Sequence, residues 1–186
     1  QMCIRERGTI GDVADVSRIF ANTNAAAAGG SLVALVLTQL LYKKADLTMV
    51  LNGALAGLVS ITAEPLTPTL GQATLIGGFG GVIVVFVVPL LDKLKIDDVV
   101  GAIPVHLVAG IWGTIAVAIT NTDASLSTQL VGIAIVGAFT FVISFIVWKI
   151  IDMIMGIRVS EEAEIIGLDK SELGMEAYPE FSRQSS

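Results

Sequence analysis

A single histidine, His106, lies inside a stretch that holds no Asp, Glu, Lys or Arg from Val99 to Thr122. No other feature constrains the chain as strongly. A run of this length is what crosses the roughly 30 Å hydrocarbon core of a bilayer as a helix. An imidazole there is costly unless it faces a protein interior or a path through it, so it is a functional candidate by default. Asp97 and Asp98 precede the run, and carboxylates suit the positive N-terminal end of a helix. Pro104 stands two residues before the histidine and reads as a mid-helix proline that frees a carbonyl and kinks the span.

The rest of the chain repeats the pattern. Charged residues make up 15% of the 186, against about 25% in soluble domains, and they cluster between apolar runs. The reading is an all-α, polytopic membrane helix bundle with about five transmembrane helices, at about 17–42, 47–64, 70–92, 98–121 and 126–151. Residues 1–12 form an N-terminal segment in which Asp12 is placed to cap the first helix. Residues 13–156 form the membrane domain, and 157–186 a C-terminal tail. Small-residue blocks recur inside the runs: Ala25 to Ser31, the GxxxG pair Gly53 and Gly57, and the group Gly77, Gly78, Gly80 and Gly81. They let helices approach closely in lipid, where packing drives association. In the tail, Ser160 to Glu164 reads as the start of a short acidic helix that Gly167 ends.

Lysines orient the bundle. Lys43, Lys44, Lys93, Lys95, Lys149 and Arg158 fall on one side, whereas the connections at 64–71 and 121–125 hold no Lys or Arg. The positive-inside rule makes the lysine side, and with it the C-terminal tail, cytoplasmic. Arg5, Arg7 and Arg18 speak the other way.

Several functions are excluded. The net charge of −6, much of it in a tail holding Glu161, Glu162, Glu164, Asp169, Glu172, Glu176 and Glu180, disfavours nucleic acid. Cys3 is the only cysteine and His106 the only histidine, so no disulfide, metal site or cofactor is expected. No nucleophile–base set points to an enzyme. His106 either ties helices together by a hydrogen bond or belongs to a transport path. Asn52 is equally packing glue or a path-lining group. The chain starts at Gln1 without an initiator methionine or signal-peptide layout, and reads as a fragment.

Four segments carry a resemblance. They are Thr9 to Asp15 with Ala21 to Ala26, Asn52 to Val59, Asp97 through His106 to Thr114, and Gly167 to Asp169 with Gly174 to Tyr178. Together they resemble the C-terminal half of the ammonium transporter (Amt/Rh) family. The resemblance implies helices seven to eleven of an eleven-helix transporter built from two inverted five-helix repeats. It also implies a homotrimer in the plasma membrane, a hydrophobic pore in each subunit, and ammonium or ammonia as cargo. His106 matches the second of two paired pore histidines, with Ala102 and Asn52 beside the path. Gly167, Leu168, Asp169, Gly174 and Tyr178 match a regulatory tail near which a PII signal protein can dock. An alternative within the family is an ammonium sensor acting through a signalling partner; a structural bundle is a further one. Three positions depart from the family pattern: Leu107 replaces a usual glycine, Pro104 a small polar residue, and Leu173 a histidine. Residues 1–8 do not continue that pattern.

Overall fold

The structure is a computed structural model that describes residues 10–177. Within them the chain is helical, with no strand among the described residues. The helices are α1 (Ile10–Tyr42), α2 (Leu47–Ile61), α3 (Leu70–Lys93), a π-helical segment (Ile103–Val108) continuing into α4 (Ala109–Thr120), α5 (Leu126–Met155), α6 (Glu161–Ile166) and α7 (Leu168–Ser171). The chain divides into two compact units between Ile135 and Val136.

The first unit is built on α1, α2 and α3, which pack on one another through backbone-to-backbone contacts. A methyl group added at Gly57 or Gly77 would strike the backbone of Ala26. One added at Gly81 would strike Gly30, and one at Gly113 on α4 would strike Ser60 on α2. The small residues are therefore the contact surface, as their clustering predicts. Around them sit two apolar clusters. One joins Ala26, Ile61, Ala73, Ile76 and Ala116, and the other joins Ala56, Ile83, Val84, Val105 and Ala109.

Local chemistry sets the helix ends. Asp46 accepts the Met49 amide at 3.0 Å and starts α2. Thr69 and Gln72 form a reciprocal capping box at the head of α3, satisfying two otherwise unpaired amides. Asn22, 2% exposed on α1, donates to the carbonyls of Pro65 and Pro68 at 2.9 and 2.8 Å. It thereby ties down the proline-rich connection between α2 and α3.

The helix starts differ in places from those expected. Four helical stretches are long and apolar enough to cross a membrane, and α2, a shorter apolar helix of 15 residues, is about 22 Å long at 1.5 Å per residue. It stops at Ile61 because the chain turns at Thr62 and then meets Pro65 and Pro68. The helical segment carrying His106 begins at Ile103, and Pro104, expected in mid-helix, sits in its first turn. There the missing amide costs little; the proline inside a helix is instead Pro89 of α3. Finally, the α1 backbone is already helical from Ile10, ahead of the cap assigned to Asp12, whose side chain lies outside the described ones.

α5 is a 30-residue apolar helix with no buried residue. Its last part belongs to the second unit, with the short helices of the tail. Ser160 caps α6 by accepting the Ala163 amide at 3.2 Å, and Gly167, at φ +98°, ends it. That is the acidic helix and stop expected from the sequence. Arg158 donates to both oxygens of Glu164 at 3.0 Å.

Candidate functional site

The segment that carries His106 is held at its head by three separate contacts. Asp98 accepts the Ala102 amide on Oδ1 and the Ile103 amide on Oδ2, each at 2.8 Å. Its carboxylate thus occupies the helix entrance, as expected of the acidic pair, whereas Asp97 is exposed. Gly101 is buried and takes a φ of +76°, a conformation that strains residues bearing a Cβ. Asn52, on α2, donates from Nδ2 to the Val100 carbonyl at 3.0 Å.

From this head the chain enters the π-helical segment Ile103–Val108 rather than a regular α-turn. The Ala109 amide reaches back five residues to the Pro104 carbonyl. Such turns are rare and concentrate at functional sites, because the extra residue redirects the side chains that follow. Pro104 and Val105 are buried against the bundle, whereas Ala102, His106 and Leu107 are exposed. Ala102 and His106 stand one turn apart on the same exposed side. Among the described residues no hydrogen bond or ion pair engages the imidazole.

Asn52 is the sequence-predicted residue that the structure separates from the other two. It is 8% exposed and lies behind the segment, bonded to its backbone. Trp112, six residues after His106, also packs inward. Its indole N–H donates to the Ile76 carbonyl at 3.1 Å, and its ring lies 4.4 Å from that of Phe79. At the far end of this span an open cleft of about 420 Å³ is lined by Glu64, Asn121, Asp123, Ser125 and Gln129, among others.

The tail residues meet around Asp169 in the second unit. Its carboxylate accepts the Ala177 and Lys170 amides at 2.9 Å each, and its carbonyl accepts the Met175 amide at 3.0 Å. The Ala177 amide is the main cause that holds this carboxyl below its ordinary value of 3.8. Lys170 pairs with Glu176 at 2.7 Å, a hydrogen bond that raises the lysine above 10.5. Gly167 and Gly174 take φ of +98° and +65° and close the turns on either side. Leu168 is exposed, and Tyr178 lies outside the described residues.

Sequence reasoning missed Gly101, Val100 and Asn22. A glycine three residues after an acidic pair, at the mouth of an apolar run, was the available signal for Gly101. Nothing in the sequence signals that the Val100 carbonyl meets a side chain 48 residues away.

Comparison with known proteins bears on these features. Residues 7–178 match the Ammonium Transporter Family. Ammonium transporter Amt2 of Archaeoglobus fulgidus is 39% identical over an alignment covering 89% of this chain and 40% of that protein. Ammonium transporter Amt1 of Haloferax mediterranei is 36% identical, covering 92% and 34%. The fold is similar to that of a solved Sensor Amt Protein, with a TM-score of 0.79 and 29% identity over 89% of this chain and 43% of the other. It is also similar to Candida albicans Mep2, with a TM-score of 0.70 and 26% identity over 80% and 37%. The chain spans about a third to two fifths of the length of the curated relatives it matches.

Proposed function

The chain belongs to the ammonium transporter family, and from that premise we propose that it forms part of a path that carries ammonium across the membrane as ammonia, past His106. The carrying observation is the placement of Ala102 and His106 on the exposed side of a π-turn whose other side is packed. Ammonium is costly to strip of water and move through hydrocarbon. Giving up its proton at an outer site leaves neutral ammonia, which a dry path tolerates. A neutral imidazole both donates and accepts, so it can orient that molecule and relay a proton.

In this reading the chain supplies the second of two inverted repeats, and the outer site and the partner histidine lie on the first. The complete protein is a homotrimer in the plasma membrane with the lysine-rich ends and the tail cytoplasmic. Gly167, Leu168, Asp169, Gly174 and Tyr178 belong to a regulatory tail at which a PII-type protein docks. The relatives' names, which are those of ammonium transporters, support the cargo.

The test is ammonium flux and selectivity in the complete transporter containing this chain. His106→Ala is expected to change both, and His106→Gln to restore hydrogen bonding but not proton handling. Unchanged flux and selectivity in His106→Ala would overturn the reading. A sensor role is the second reading, favoured by the likeness to the Sensor Amt Protein. It predicts ammonium binding without net flux.

A further inference from the structure

We infer that Asn52 is a positioning residue for His106. The inference rests on the pathway role proposed for that histidine and adds to it the part that sets the imidazole's direction.

A π-turn places its side chains according to where the turn begins, because each residue is rotated less than in an α-helix. The direction of His106 therefore depends on how firmly the backbone is held at residues 100–103. Two of the three restraints there are local. Asp98 grips the Ala102 and Ile103 amides, and Gly101 supplies the left-handed turn. Both act within the segment and would move with it as a unit.

Asn52 alone of the three belongs to another helix. Its amide reaches from α2 to the Val100 carbonyl at 3.0 Å. A Cβ on Gly101 would come within 2.8 Å of the same Nδ2, so the amide also fills the space that the glycine leaves. α2 is itself locked to α1 by Gly53 and Gly57. The bond thus references the start of the π-turn to the rigid three-helix unit. Pro104 and Val105, both buried, carry that reference forward to the histidine two residues later. Asn52 never touches the exposed side, and its effect on transport runs through the backbone.

The experiment is a double-mutant comparison in the complete transporter, reading flux per correctly assembled trimer-sized particle. Asn52→Ala and the size-conserving Asn52→Asp are each made in the parent and in His106→Ala. Gly101→Ala, which pushes on the same amide from the other side, is a third variant. In the parent background a loss of about threefold to tenfold is expected, the factor one hydrogen bond's net worth allows. In the His106→Ala background the further change should be close to none, because the group being positioned is gone. A merely structural role would lower flux by the same factor in both backgrounds, and that additive result would overturn the inference. So would full flux in well-assembled Asn52→Asp and Gly101→Ala. If His106→Ala itself has no effect, the pathway reading fails instead, and the two failures are told apart by that single control.

Discussion

Asp169 shows how one side chain organises a short segment. Its two oxygens accept the Lys170 and Ala177 amides, and the second of these is the main reason its pKa is lowered from 3.8. A lowered carboxylate contributes stability that is fully present above its ordinary value and is lost as pH falls through the lowered one. The loop from Gly174 to Ala177 should therefore stay closed at neutral pH and loosen only in acid. The chemical shift of the Ala177 amide, followed by NMR from pH 7 downward, should titrate with a midpoint below 3.8. Asp169→Asn should abolish that transition. A midpoint above the ordinary value would show that the contact does not hold the carboxylate. Asn22 and Asn52 act in the membrane domain in the same style, each spending its amide donors on backbone carbonyls of a distant connection. A buried polar group is stable only when so satisfied.

Between helices, the deciding feature is the absence of side chains. Gly77 on α3 lies against the Ala26 backbone so closely that any Cβ would overlap it. Gly77→Ala should force α1 and α3 apart and cost about 1–3 kcal/mol, the usual range for overpacking a tight contact. Gly132 on α5 has nothing within 4 Å, and Gly132→Ala in this chain should stay within about 0.5 kcal/mol of the parent. Denaturant unfolding of the two variants in the same detergent checks both. Equal stability would mean that the glycine seam does not set the helix separation. Trp112 marks where the seam gives way to side chains: it bridges α4 to α3 through the Ile76 carbonyl and the Phe79 ring.

At the scale of the molecule, burial is unevenly distributed. α1 to α4 share a core, whereas α5 buries nothing, and His106 is exposed on the unit that carries it. The proposed path needs walls on every side, and among the described residues none covers the exposed side of His106. Purified 1–186 in liposomes is therefore expected to show no ammonium flux above protein-free vesicles. Flux that disappears on His106→Ala would show instead that the chain closes a path unaided, alone or with copies of itself.

The all-helical architecture and its apolar, membrane-spanning helices were legible in the sequence. They depend on hydropathy and length, which are properties of composition along a line. The glycine clusters were legible as packing surfaces for the same reason, since small residues have few other uses in lipid. The acidic cap at Asp98 and the stop at Gly167 were local enough to read. What the sequence left undecided was relational. That Asn52 donates to the Val100 carbonyl, 48 residues away, was not readable along the chain. That Pro104 starts a π-turn, where a kink in mid-span was expected, follows from the head formed by Asp98, Gly101 and Asn52. A carbonyl's partner and a turn's register are set by which helix packs beside which, and that pairing exists only once the chain has folded.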